Sequence, residues 1–229
     1  MNDINRRQLV LGSASPRRRE ILGRLRVDFF IRAADIDETP HDGERPSAYV
    51  RRMAEEKARA VVAMPDAIAD DARRKGVGEL VLGADTTVAL VDDDGTVTIF
   101  GKPQDDADAA SMLRALQGRA HTVLTGLALV DGPSGATRTA VESTRVHIAP
   151  MTDDEIAWYV ASGEPRGKAG AYAIQGIAAA FVTHIEGSYS NVVGLPLHAV
   201  YRLLEDAGYR VREHTRPLGP VVALPARDS

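Results

Sequence analysis

Short apolar runs alternate with charged stretches of helical spacing, so the chain reads as strands and helices interleaved along its length. Leu9-Val10-Leu11 ends in Gly12-Ser13 and is followed by Ser15-Pro16 and a charged amphipathic segment to about Leu25. That is a strand, a tight turn and a helix, with Ser15 as N-cap and Pro16 at the first helical position, where its missing N–H does no harm. Phe29-Phe30-Ile31 reads as a second strand, Asp35 to Arg45 as a polar loop, and Ser47 to Ala63 as a helix. Leu80 to Val91 is apolar enough for a buried strand. Asp92-Asp93-Asp94-Gly95 then turns the chain into Thr96 to Phe100, making a hairpin.

A helix is expected from about Asp106 to Gln117, and a strand pair over Thr122 to Val130 and Ala136 to Ile148. Thr152 and Glu155 have the spacing of a capping box, for a helix that stops at Gly163. The last third predicts strands over Tyr172 to Ile177 and Ala180 to Ile185, and a helix from about Pro196 to Ala207. Met64 to Glu79 is polar and aperiodic and reads as a surface loop. The chain after Tyr209 reads as strand-like and then, over 212–229, as a loose Pro-rich tail. The pattern predicts one α/β domain over 1–229, with a mixed sheet, antiparallel hairpins and flanking helices.

Composition narrows the functional classes. With 28 basic and 32 acidic residues the formal charge is -4, so bulk electrostatics would not hold this protein on nucleic acid or on an anionic membrane. Any anionic ligand must be met by local charge. The absence of cysteine excludes disulfide scaffolds, thiolate zinc sites and cysteine nucleophiles. The first residues carry Asp3, Arg6 and Arg7 before a short apolar run, which does not make a signal peptide, and the expected location is cytoplasmic.

Some charged residues stand where charge is costly. The strand–turn–helix at Gly12 to Arg19 aims backbone N–H groups and a helix N-terminus at one point, with Arg17 and Arg18 nearest the turn. A capped helix with solvated arginines is the other reading of that segment. Lys57 lies in the middle of the apolar stripe formed by Val50, Met53 and Val61, so it either snorkels or reaches an anion. Asp85 interrupts a core strand, and a buried carboxylate there needs a partner, a hydrogen bond or a metal. Glu38, in an acidic loop, could supply a second carboxylate for Mg²⁺. Lys102 sits at a strand-to-helix junction. Gln175 lies among small and apolar residues, as a core amide bonded to backbone or as a contact to a flat ligand.

Other patterns fail. Gly163 to Ala169 is one residue short of a P-loop and has Ala where Ser or Thr must meet the metal. Asp92-Asp93-Asp94 is a hairpin turn, and the six histidines show no His-x-x-x-His spacing.

Six ordered segments together resemble the Maf family of nucleotide pyrophosphatases: Ser13-Ala14-Ser15-Pro16-Arg17-Arg18, Ala54-Glu55-Glu56-Lys57-Ala58, Gly83-Ala84-Asp85-Thr86, Gly101-Lys102-Pro103, Lys168 to Gly176, and Gly187 to Pro196. The resemblance spans about 9–207. It implies an inosine-triphosphatase-like fold with a cleft between two lobes, a homodimer, and hydrolysis of a nucleoside triphosphate to monophosphate and pyrophosphate with Mg²⁺ or Mn²⁺. By the same resemblance Asp85 is the proton acceptor, and Glu38, Lys57 and Lys102 are metal or triphosphate residues. Ser13, Arg17 and Arg18 belong to the phosphate side, and Glu38 and Asp85 to the metal. Arg17, Thr86 and Gln175 match the positions that choose the substrate, in the form that implies dTTP and UTP. Two other functions stay open at this stage: a nucleotide-binding regulator of cell division with weak hydrolysis, and an enzyme that removes noncanonical purine triphosphates.

Overall fold

A computed structural model describes residues 7–64, 78–92 and 94–217. The expected loop at Met64 to Glu79 falls almost wholly outside the described residues, as does the tail from residue 218. The elements are β1 (Gln8–Leu11), α1 (Pro16–Gly23), β2 (Phe29–Ile31), α2 (Pro46–Ala63), β3 (Glu79–Val91), β4 (Val97–Phe100), α3 (Asp106–Leu116), β5 (Ala120–Asp131), β6 (Thr137–Ile148), α4 (Asp153–Ala161), β7 (Val182–Glu186), α5 (Tyr189–Val193), α6 (Leu197–Asp206) and α7 (Val211–His214). Both local cap predictions hold. Ser15 accepts from the N–H of Arg18, and Thr152 and Glu155 form a reciprocal capping box at the start of α4.

Seven strands form one mixed sheet in the order β2-β1-β3-β5-β6-β7, with β4 paired to β3 off that path. The sheet separates two apolar layers, and residue parity decides which side each strand position serves. Val10, Val81, Ala128 and Val130 face α2, where Ala54, Ala58 and Val61 cover them. Leu9, Leu11, Leu82, Leu127 and Leu129 face the other way, against α1, α3, α4 and α6. No helix among the described residues is long and apolar enough to cross a membrane.

The closeness of α2 to the sheet depends on two glycines. A Cβ at Gly83 would stand 2.1 Å from the Ala54 carbonyl oxygen, and one at Gly126 2.1 Å from that of Val50. Gly126 is the direct partner of Asp85 across the β3–β5 ladder, so one of these two close approaches lies beside that carboxylate.

The second structural device is a gap. β5 pairs with one edge of β3 from Leu80 to Ala89. On the opposite edge β1 pairs only with residues 79–82 and β4 only with residues 88–91. Residues 83–87 of β3 therefore have an uncovered edge in the middle of an otherwise continuous sheet. Asp85 and Thr86 lie in that interval, and their side chains leave on opposite faces of the strand.

Two sequence expectations are corrected. Tyr172 to Ile177 is not a strand: residues 172–176 are extended and then turn, and Ile177–Ala180 is a short 3₁₀ helix, so β7 begins only at Val182. Small residues there serve close backbone packing and not a ladder. The chain after Tyr209 forms a helical turn at Val211–His214, with the His214 ring stacked on Tyr209 at 4.1 Å between centroids, instead of continuing as a strand.

Candidate active site

The gap in β3 opens into a cleft of about 1190 Å³ lined by the β1–α1 turn, Glu38, Lys57, Asp85, Thr86, Lys102 and the segment 167–176. Every site residue expected from sequence lines it.

Asp85 is 7% exposed. Lys57, one turn beyond the Ala54 contact on α2, donates from Nζ to Asp85 Oδ1 at 2.6 Å and stands 2.7 Å from Glu38 Oε1. One ammonium thus joins two carboxylates from distant parts of the chain. Burial works against the charge of Glu38, but the bond from Lys57 and the proximity of Lys102 outweigh it and hold the carboxyl below its ordinary pKa. The Glu38 loop is held by α2 as well, because the Tyr49 hydroxyl donates to the Glu38 carbonyl at 2.9 Å and Arg52 donates to that of Thr39. Burial raises the Tyr49 phenol to about 12, so it stays protonated and able to donate.

Lys102 approaches Glu38 only to 3.8 Å, and its side chain is 65% exposed. A pair of that kind contributes about 1 kcal/mol at most, so Lys102 is free to exchange its partner for a phosphate oxygen. Arg17 is half-buried, and its side chain makes no hydrogen bond or ion pair among the described residues. Burial lowers its guanidinium pKa, and no carboxylate offsets that cost. A desolvated cation without a counter-ion favours an anionic ligand.

Arg18 differs. Its Nε donates to the Gly194 carbonyl at 2.9 Å, Nη1 to the Ala84 carbonyl at 2.8 Å and to Ser13 Oγ at 3.2 Å, and Nη2 to Thr86 Oγ1 at 3.1 Å. Where the sequence groups Arg18 with Arg17 as a phosphate ligand, the structure commits four of its hydrogen bonds to the protein. It caps a carbonyl on the open edge of β3 and ties the turn, the strand and the α5–α6 link together. Ser13 Oγ also accepts from the Ser15 N–H at 3.2 Å. Thr86 Oγ1 shares a further bond of 2.9 Å with Thr125 Oγ1, so its position is set from behind.

Gln175 corrects another expectation. It is exposed at the tip of a turn, and its amide has no hydrogen-bond partner among the described residues. It is neither a core amide nor part of a strand. Lys168 is a cation that sequence reasoning passed over when it set aside the P-loop resemblance. Among the described residues its ammonium donates only to the Arg166 carbonyl, at 3.0 Å, and burial together with nearby Arg17 lowers its pKa. The signal for it was its place inside the Lys168 to Gly176 segment. Gly170, at φ +68°, docks this segment on β3: a Cβ there would stand 2.9 Å from Val88, and its N–H donates to the Gly101 carbonyl.

Beneath the cleft, buried His121 shares a 2.8 Å hydrogen bond with the Tyr172 hydroxyl. Burial, aided by His147, depresses its pKa from 6.5 to about 4, so the folded protein declines a proton that the unfolded chain accepts. Stability from this site is full above about pH 6.5 and falls by about 3 kcal/mol as the pH drops to 4. Urea unfolding at pH 7 and pH 4.5 should show a larger acid loss for the wild type than for His121→Gln. Equal losses would refute that assignment.

Comparison with known proteins gives a consistent pattern. A family model described as "Maf-like protein" matches residues 8–207. A protein named dTTP/UTP pyrophosphatase from an Anaeromyxobacter species is 50% identical over 205 residues, covering 88% of this chain and 90% of its own. Proteins of the same name from Pelotomaculum thermopropionicum and Myxococcus xanthus are 48% and 49% identical, covering 90% and 87% of this chain and 99% and 92% of theirs.

Proposed function

The chain belongs to the Maf family, and on that premise we propose that it is a pyrophosphatase hydrolysing dTTP and UTP to the monophosphate and pyrophosphate, as a cytoplasmic homodimer. The observation that carries the reading is the charge arrangement in the β3 gap. Arg17, whose side chain is unpaired among the described residues, and weakly paired Lys102 face the same cleft as a buried Asp85 held by Lys57. A site of this kind suits a polyanion beside a proton acceptor.

In this reaction water attacks the α-phosphorus, the bond from that phosphorus to the bridging oxygen breaks, and pyrophosphate leaves with that oxygen. We assign Asp85 to accept the proton of the attacking water. Arg17, Lys102 and Lys168 bind the phosphates, and Lys57 exchanges part of its pairing with the carboxylates for phosphate oxygens. Ser13 and Arg18 shape the wall behind Arg17.

No group of three or more His, Asp or Glu side chains able to hold a metal occurs among the described residues. The two carboxylates on Lys57 are nevertheless hard oxygen donors, and Mg²⁺ accepts one or two carboxylates completed by phosphate and water. The donor set therefore fits Mg²⁺ or Mn²⁺ arriving with the nucleotide, held by Asp85 and Glu38. Such a cation would neutralise charge on the phosphate oxygens.

Thymine and uracil share an edge with an N–H donor between two carbonyl acceptors. The free amide of Gln175 has both a donor and an acceptor to meet it, and Thr86 and Arg17 complete selection. A panel of dTTP, UTP, CTP and 7-methyl-GTP, scored for pyrophosphate with and without Mg²⁺, tests this. The first two should exceed the others at least about tenfold in kcat/KM, with activity dependent on the metal. Equal rates on all four would overturn the specificity.

A further inference from the structure

The exposed amide of Gln175 sits on a turn that is gripped from both ends by one hydrogen-bond network. The turn runs from Ala173 to Gly176 and is closed by the Gly176 N–H donating to the Ala173 carbonyl at 3.0 Å. At its start, the Ala173 N–H donates to the Tyr159 hydroxyl at 3.2 Å. Just after its end, the N–H groups of Ile177 and Ala178 donate to Glu164 Oε2 at 2.8 Å and Oε1 at 3.2 Å. The Tyr159 hydroxyl then donates to Glu164 Oε1 at 2.9 Å, joining the two anchors. Tyr159 is fully buried on α4, and burial followed by the bond to Glu164 raises its pKa, so it stays a phenol and keeps that proton.

We propose that Glu164, with Tyr159, is a positioning residue for nucleotide choice: it holds the Ala173–Gly176 turn so that the Gln175 amide meets the base at a set depth in the cleft. The inference rests on the reading of Gln175 as a base contact. All three partners of the Glu164 carboxylate are donors, which an ionised carboxylate satisfies as an acceptor-only group. A glutamine must turn an N–H toward one of them, losing a bond and adding repulsion. Gly176 belongs to the same device. A Cβ at that position would stand 2.0 Å from Glu164 Oε2, so only glycine lets the carboxylate reach the N–H groups beyond the turn.

Discrimination is a difference in kcat/KM set by the hydrogen-bonding site, so displacing a group that touches only the base acts first on the ratio between nucleotides. Glu164 also acts on the charge of Lys168, and removing its own charge would alter triphosphate binding. That effect acts on all nucleotides together and leaves their ratios unchanged. The ratio of kcat/KM for dTTP to that for CTP is therefore the readout that separates positioning from general electrostatics or lost stability.

The experiment measures pyrophosphate release by the full chain with dTTP, UTP and CTP for wild type, Gln175→Ala, Glu164→Gln, Glu164→Ala, Gly176→Ala and the double variant Glu164→Ala/Gly176→Ala. Glu164→Gln and Gly176→Ala should each lower the dTTP:CTP ratio about tenfold, with kcat for dTTP reduced by less than about threefold. Because the three atoms nearest the added methyl all belong to the Glu164 carboxyl group, the double variant should be no worse than Glu164→Ala alone, a non-additivity expected of residues in one contact. If Gln175→Ala lowers the ratio but Glu164→Gln and Gly176→Ala do not, the positioning role is overturned while the base-contact reading stands. If Gln175→Ala leaves the ratio unchanged, the base-contact reading fails and this inference fails with it. Should Glu164→Gln not fold, Gly176→Ala and the double variant decide alone.

Discussion

Asp85→Asn should lower kcat for dTTP at least about a thousandfold while leaving nucleotide affinity within a few-fold of wild type. The replacement has nearly the same shape, and its carbonyl can still accept from Lys57, which now bonds Asp85 Oδ1 at 2.6 Å. Glu38 remains at 2.7 Å from the same ammonium, so the charged cluster keeps an anchor. What the variant lacks is a site for the proton of the attacking water, together with one of two carboxylates for the metal. Arg17, Lys102 and Lys168 are unaltered, so the triphosphate still has its cations. Pyrophosphate release measures the rate, and calorimetric titration with dTTP in the presence of Mg²⁺ measures affinity. A variant that keeps near-normal turnover would remove Asp85 from its assigned role. One that loses turnover and binding in equal measure would make it a ligand-holding residue.

The local parts of this fold are legible in the sequence because their causes are local. Ser15-Pro16 caps α1, Thr152 and Glu155 close a box over α4, and alternating apolar residues place β5 and β6. The inward position of Lys57 follows from helical spacing, and the cost of a carboxylate in an apolar strand singles out Asp85. Long-range pairing hides the rest. The gap at residues 83–87 exists because β1 and β4 share one edge of β3 without meeting, which no periodicity announces. The acceptors of Arg18 lie as far away as Ala84, Thr86 and Gly194, so its neighbour Arg17 looks equivalent until those contacts are seen. Gln175 is misread because small apolar residues in a tight turn have the composition of a strand. The Glu164 network that shapes the turn is built from backbone N–H groups, which carry no sequence signature.

Gly83→Ala and Gly126→Ala should each destabilise the protein by at least about 3 kcal/mol, through overpacking that no side-chain adjustment can relieve. In each case the new methyl would stand 2.1 Å from a backbone carbonyl of α2, that of Ala54 or Val50. Rotamer changes cannot move a helix backbone, so α2 must rise from the sheet or the strands must bend. Lifting α2 uncovers Ala54, Ala58 and Val61 and the strand residues beneath them, adding lost burial to the clash. It also draws Lys57 away from Asp85 and Tyr49 away from the Glu38 loop, so activity should fall further than the folded fraction alone accounts for. Gly23→Ala is the matching control, because a Cβ there meets nothing within 4 Å, and the change should be neutral or slightly stabilising. Denaturant midpoints of the three variants and the wild type, with activity measured where each is fully folded, test both halves of this expectation. Losses below about 1 kcal/mol at Gly83 and Gly126 would mean that α2 does not depend on these glycines for its seat. Full activity in a destabilised but folded variant would detach the charge cluster from the position of the helix.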